Sequence, residues 1–283
     1  VSPSHLFMIG APKCGTTALY TYLGAHPNVY FPREKEPHFF ADDFPTHRTC
    51  TDWTAYQKLY DAVEPHHAVV GDASVMMLYS QTAVRQALSS YPDARFLISL
   101  RNPIDLVVSL HRQFLLSGRE REEDFASAWR RERQSEFSEH ILHYPRFGQL
   151  GTYLSKVAQQ IPAGQLCVTY LDDLRLNPRA AYLRLLHFLD LHDDGQGDFA
   201  IVNEARQHRW PWLSRLVLDR PCLVASLKRL GVSRALRYFG STPAVHKEIS
   251  QDLKQELLDY YREEIGLLGE LTQRDLSPWL RGE

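Results

Sequence analysis

Lys13, Thr16 and Thr17 stand with two glycines in the stretch GAPKCGTTALY, Gly10 to Tyr20, directly after the apolar run HLFMI. A strand that turns sharply into a helix presents successive backbone N–H groups, and the helix dipole adds partial positive charge there. Gly10 and Gly15 let the backbone come close to an anion, Thr16 and Thr17 add hydroxyl donors, and Lys13 adds a full charge. The turn Pro12-Lys13-Cys14-Gly15-Thr16-Thr17 is therefore expected to hold an anionic group. The bland alternative is a tight strand–helix turn with a surface lysine. The spacing almost fits G-x-x-x-x-G-K-[ST], the loop of nucleoside-triphosphate enzymes, but Thr16 fills the lysine slot and the lysine is displaced to position 13. A nucleoside triphosphate also asks for a carboxylate or hydroxyl to hold Mg²⁺. Asp72, after Val69-Val70-Gly71, is the one carboxylate available for that. A sulfuryl group carries less negative charge than a terminal phosphoryl group and can be transferred with a lysine and backbone dipoles alone.

Two further clusters carry chemistry. REKEPHFF, Arg33 to Phe40, offers Glu34, Glu36 and His38 as proton acceptors, with Lys35 able to pair with a carboxylate and Phe39-Phe40 able to form an apolar wall. Such a wall would raise a carboxyl pKa toward neutrality, where a general base works best. The competing reading is a charged loop, Glu34 solvated, ahead of a Phe-Phe core anchor. LRNPIDLVVSLHRQF, from Leu100, places Arg101 at a strand end and Ser109 eight positions later on a helix. An arginine offers a two-pronged fork to a dianion, although an arginine capping a turn is equally common.

Taken together, these segments resemble the sulfotransferase family, which uses 3′-phosphoadenosine 5′-phosphosulfate (PAPS) and releases 3′-phosphoadenosine 5′-phosphate (PAP). GAPKCGTTALYTYL is similar to that family's 5′-phosphosulfate loop, and LRNPIDLVVSLHRQF to its 3′-phosphate motif. The resemblance implies that Pro12, Lys13, Cys14, Gly15, Thr16, Thr17, Arg101 and Ser109 bind the nucleotide. REKEPHFF resembles the E-x-H-F-F segment of the glycan-type branch, which implies Glu36 as catalytic base with His38 beside it and Lys13 stabilising the leaving phosphate. It also implies a P-loop-like α/β fold, no metal, and a hydroxyl acceptor (less readily an amine) on a carbohydrate, lipid or secondary metabolite. Glycan-type members often carry G-E-K-[ST]-P-x-Y after the second strand. Here the segment is GDASVMMLY, so Ala73 stands in place of the lysine, which points to a bacterial-type relative with a different acceptor. Two rivals stand beside this reading: a P-loop kinase or other NTP-dependent enzyme, and a nucleotide-binding module without catalysis.

The elements that must position these residues follow from pattern. Apolar runs at 5–9, 68–70, 96–100 and 165–170 read as strands, the first and third ending at Gly10 and Arg101. Helices are expected over 16–25, 54–63, 81–91, 104–116, 148–161, 177–189 and 249–268, with Asn177-Pro178 as a start signal and Pro103 in a first turn. Strands alternating with helices imply one α/β domain over residues 1–283 with a central parallel sheet, its ligands at the carboxyl ends of the strands. The charged run SGREREEDFASAWRRERQ reads as an exposed helix face. Residues 191–245 are hard to read beyond a weak helix near Leu223 to Tyr238. They hold Arg206, Arg209, Arg234 and Arg237 which, with Lys247, are basic candidates for the nucleotide, and Trp210 and Trp212, which suit either an acceptor pocket or a packed lid.

The 283 residues carry a net charge of −2 and 44% hydrophobic residues. That suffices for one large core and argues against a general nucleic-acid binder, which needs a broad basic excess. No apolar run reaches the roughly 20 residues of a membrane span. The strand-like segment begins almost at residue 1, so no signal peptide is expected within these residues; the bacterial-type resemblance implies a cytoplasmic location, with a removed leader or anchor as the alternative. Cys14, Cys50, Cys167 and Cys222 form no C-x-x-C pair and are expected to be free thiols in a reducing compartment.

Overall fold

A computed structural model of the chain describes residues 3–134, 143–200 and 249–281, together with the backbone of 206–208 and 241–243. The chain falls into two compact units, residues 1–106, 147–202 and 260–283 in the first, and 107–146 and 203–259 in the second.

The first unit is built on a five-stranded sheet of β1 (Ser4–Gly10), β2 (Val29–Tyr30), β3 (Val69–Asp72), β4 (Arg95–Leu100) and β5 (Leu166–Tyr170), in the order β2-β3-β1-β4-β5. Every pairing is parallel, as crossover connections through helices require. Parallel strands are covered on both faces, and β1 shows how. Leu6 and Met8 enter a cluster with Leu19 and Leu23 of α1 (Thr16–Gly24), Leu97 of β4 and Leu185 and Leu186 of a later helix. Residues one step out of phase point the other way. The Phe7 ring meets Phe40 and Phe96, each with centroids 5.5 Å apart, and His5 stacks on Tyr91 at 3.5 Å. The parallel α/β architecture expected from the sequence is the one observed.

Local signals also hold. Asn102 accepts from the Ile104 N–H at 3.0 Å ahead of Pro103–Ser117, and Asn177 accepts from the Ala180 N–H at 3.0 Å to cap Pro178–Phe188. Differences lie where tertiary contacts override pattern. Strand β2 is only two residues long and carries too little periodicity to read. The helix expected over 54–63 covers Trp53–Lys58 and gives way to turns. The helix expected over 148–161 is split into Tyr144–Phe147 and Leu150–Ala158.

In the second unit the charged run exposes Arg119, Arg121, Glu123, Asp124, Arg130, Arg131 and Arg133, as its composition suggests, but two of its carboxylates are buried. Its helix, Phe125–Gln134, buries Phe125 and Trp129, and Glu120 and Glu132 are buried too. Glu120 accepts from Arg131 at 2.7 Å, from the Tyr144 O–H at 3.1 Å and from the N–H groups of Arg121 and Glu122. A buried carboxylate is tolerated because it is paired and hydrogen-bonded. Arg206–His208 and Ser241–Pro243 pair antiparallel.

Candidate active site

The carboxyl ends of the strands bring the sequence-singled residues to one edge of the sheet. The Lys13 turn follows β1, the Glu36–His38 loop follows β2, Asp72 closes β3, and Arg101 follows β4. Since β1 lies between β3 and β4, chain direction alone places these loops side by side, as expected for ligand sites in open α/β sheets.

The turn after β1 is held by β4. The Ala11 N–H donates to the Ser99 carbonyl at 2.8 Å, and the Ser99 hydroxyl donates to the Cys14 carbonyl at 2.5 Å. Gly15, at φ 83°, adopts the left-handed conformation at the start of α1. A Cβ there would lie 2.8 Å from Leu171 Cδ1, so both conformation and space call for glycine. Thr16, in the slot that nucleotide loops give to lysine, is buried. The first turn of α1 leaves N–H groups without intrahelical acceptors. Lys13 itself sits at φ 64°, a conformation that costs a residue with a Cβ about 1 kcal/mol. Burial holds its ammonium below the usual lysine range, and the Arg101 guanidinium adds to that lowering. Burial pushes the Cys14 thiol up to about 12, so its contribution is its backbone.

In the loop after β2, Glu36 and His38 are also left-handed, at φ 65° and 52°. Three such residues in two facing loops mark where the backbone is strained around a purpose. Lys35 Nζ donates to Glu36 Oε1 at 2.6 Å, and His38 Nε2 lies 3.6 Å from Glu36 Oε2. Burial alone would raise the Glu36 carboxyl. The His38 contact and the Lys35 charge outweigh it and bring the carboxyl down to about 2. The expected upward shift against a Phe39-Phe40 wall is therefore corrected. Phe40 is anchored on Phe7, and Phe39 stacks on Tyr56 with centroids 4.6 Å apart. The groups that set Glu36 are His38 and Lys35. Glu34 is exposed, as expected.

The two loops meet electrostatically. Lys13 feels Arg101, Lys35 and Glu36, so its ammonium lies near cations from both the β2 loop and the end of β4. Arg101 pairs with Asp105 at 3.3 Å, yet its Nε is buried with no hydrogen-bond partner, and so is Nδ1 of His38. A buried guanidinium N–H without an acceptor, beside a half-buried lysine, fits an anionic ligand. Ser109, the other residue expected to bind nucleotide, lies in the second unit on the helix Pro103–Ser117.

Asp72 has a different role from a metal ligand. It is 2% exposed, and burial pushes its carboxyl up against the hydrogen bonds it accepts. Ser74 Oγ donates to its Oδ1 at 2.5 Å and the Tyr56 O–H to its Oδ2 at 2.9 Å. Tyr56 and Ser99 are the supporting residues that sequence reasoning missed. The only hint was Ser99, a hydroxyl in the middle of the apolar strand RFLISL. Cys14, Cys50 and Cys167 are free thiols. Arg209, Arg234, Arg237, Lys247, Trp210, Trp212 and Cys222 lie outside the described residues, as does the Arg206 side chain. Among the described residues no helix is long and apolar enough to cross a membrane.

The model of the sulfotransferase domain family matches residues 3–204. The chain belongs to that family. A sulfotransferase from Alicyclobacillus acidocaldarius has a crystal structure that is 25% identical and superposes with a TM-score of 0.74, covering 99% of both chains. Retinol dehydratase, crystallised with androsterone and the inactive cofactor PAP, shares the fold at 10% identity and a TM-score of 0.50, covering 98% of this chain and 83% of its own. Human carbohydrate sulfotransferase 15 is 25% identical over a segment covering 41% of this chain and 28% of its own length, so the chain spans little more than a quarter of that relative.

Proposed function

We propose that the whole chain acts as one sulfotransferase domain, moving the sulfuryl group of PAPS to a hydroxyl of a carbohydrate, lipid or secondary-metabolite acceptor. The observation that carries this is the placing of Lys13 among Arg101, Lys35 and Glu36 at the carboxyl ends of the strands, with Arg101 Nε buried and without a hydrogen-bond partner. Three cations destabilise one another until an anion is present. The turn from Pro12 to Thr17 would hold the 5′-phosphosulfate end, with Arg101 and Ser109 for the 3′-phosphate. The glycan-type resemblance and the carbohydrate sulfotransferase relative favour a sugar hydroxyl as acceptor.

In the reaction the acceptor oxygen forms a bond to sulfur while the bond from sulfur to the 5′-phosphate oxygen breaks, and that electron pair leaves with PAP. The acceptor proton goes to Glu36, which is already ionised, and His38 and Lys35 orient its carboxylate. Lys13 and the first N–H groups of α1 meet the charge that develops on the leaving phosphate. Stabilising a leaving group in this way contributes several kcal/mol of barrier lowering, on the order of 10²–10³ in rate. The rival Mg²⁺–NTP reading asks for a lysine where Thr16 is buried and a free carboxylate where Asp72 has both oxygens engaged.

The test is calorimetric titration with PAP, then incubation with PAPS and a panel of sugar, phenol and amine acceptors, scored for sulfated product. PAP should bind without added metal, and at least one hydroxyl acceptor should be sulfated. Mg²⁺-dependent ATP turnover with no affinity for PAP would overturn the proposal. Binding without turnover on any acceptor would favour a non-catalytic nucleotide module.

A further inference from the structure

The loop that carries Glu36 has no helix or strand of its own between β2 and the helix Trp53–Lys58, yet its His38 is buried in a strained conformation. What holds it there is a residue 36 positions away. Ser74 Oγ accepts the His38 N–H at 2.9 Å in a buried contact. A hydroxyl has one proton, and the Ser74 proton is committed to Asp72 Oδ1, because a carboxylate can only accept. Its lone pairs are thereby left for the His38 N–H. Asp72 cannot rotate out of this arrangement, since Tyr56 holds its other oxygen and Tyr56 is in turn 3.2 Å from the Tyr60 hydroxyl.

We propose that Ser74, oriented by Asp72, is a positioning residue: it pins the His38 backbone and so fixes the His38–Glu36 contact on the acceptor side of the site. The assignment rests on the reading of Glu36 as base. Neither residue touches the reacting atoms. The pair occupies the segment where glycan-type relatives carry a lysine, here Ala73, so this chain uses the turn after β3 to brace a neighbouring loop. The network also explains why an aspartate is buried at a strand end with no cation in hydrogen-bond contact among the described residues. It is satisfied by two hydroxyls whose directions it sets.

The test uses Ser74→Ala, Asp72→Ala and Asp72→Asn in the full chain, with three readouts. Hydrogen exchange of the His38 amide should be slow in the parent, although it lies in a loop, and at least about tenfold faster in Ser74→Ala. The Glu36 carboxyl, followed by carbon-13 NMR between its neighbours Lys13, Lys35 and His38, should titrate higher in Ser74→Ala, because the His38 contact that lowers it is loosened. Turnover at saturating PAPS, with whichever acceptor the panel gives, should fall about ten- to a hundredfold in Ser74→Ala and Asp72→Ala, as expected for a misplaced catalytic group. PAP affinity should stay within about twofold, since the β1 turn is untouched. Asp72→Asn keeps an oxygen for the Ser74 proton and should retain most of the activity. A fast-exchanging His38 amide in the parent, or a Ser74→Ala protein with parental exchange, Glu36 titration and turnover, would overturn the inference. Failure of the functional reading looks different: no PAP binding, or full turnover in Glu36→Gln. The exchange and titration readouts need neither nucleotide nor acceptor and still decide the positioning question.

Discussion

The turn after β1 and the loop after β2 face each other at the same edge of the sheet, and they are built on opposite plans. The β1 turn is made of main chain: glycines, the N–H groups of a helix start, and one lysine, all within eight residues. Its supports, Ser99 and the neighbouring β4 backbone, are one strand away. The β2 loop is made of side chains, and its working pair is held by Ser74, Asp72 and Tyr56, none of them nearby in sequence. A site for a constant part of a substrate, a phosphosulfate, can be assembled from backbone dipoles that change little with side-chain substitution. A site that accepts a proton needs a particular carboxylate at a particular angle, and that is set by packing from elsewhere in the fold.

The contrast can be broken at either end. The largest effect is expected at Glu36. Glu36→Gln should lower turnover by about 10²–10⁴, the usual worth of a general base, with PAP affinity unchanged in calorimetry. An equal loss of affinity would mean that the two loops do not divide binding from chemistry. Lys13→Ala should lower turnover by about 10²–10³ and weaken PAP binding as well, because its charge serves both the bound and the leaving phosphate; a loss confined to affinity would remove Lys13 from the chemistry. Gly15→Ala should cost about 2 kcal/mol of stability in urea unfolding, from the left-handed φ and the Leu171 contact, with a matching loss of PAP affinity. Tyr56→Phe should cost about 1 kcal/mol, since a buried Asp72 oxygen loses its donor, and should leave PAP affinity as it was.

The smallest effect concerns acid. The Glu36 carboxyl sits at about 2, below its ordinary value of 4.5. Its ionised form therefore stabilises the fold fully above about pH 4.5, and that contribution is lost as pH falls from 4.5 toward 2. Glu36→Gln should flatten this part of the acid-unfolding curve. The change will be small, because the side chain is 36% exposed and solvent screens its partners. The same value means that, in the free enzyme, kcat/KM should show no acid limb from Glu36 between pH 5 and 8. A limb there that vanished in Glu36→Gln would show that the carboxyl is far less depressed than its neighbours imply.

How much of this could be read beforehand differs along the chain. Strands β1, β4 and β5 and their following turns were legible because a buried parallel strand is a short apolar run and its helix start is marked by glycine, asparagine or proline. Strand β2 was not, since two residues carry no period. The buried Glu120 was misread because composition cannot say that Arg131 and Tyr144 will surround it. Glu36, His38 and Lys35 were visible as residue types and as a pair-forming run. Their electrostatics were read with the wrong sign, because His38 and Lys35, and not an aromatic wall, set Glu36.

Sequence by itself determined the alternation of strands and helices along the chain, the glycine-marked turn between β1 and α1, and the residue types that stand ready to take a proton. These depend on local spacing, since backbone geometry within one turn is fixed by the residues in that turn. Only the tertiary structure decided that Asp72 is held by Ser74 and Tyr56, that Glu36 is held low by His38 and Lys35, and that Ser99 ties the β1 turn to β4. Those outcomes depend on which strands become neighbours, and that is settled by burying apolar faces across the whole sheet, far from the polar residues whose partners it chooses.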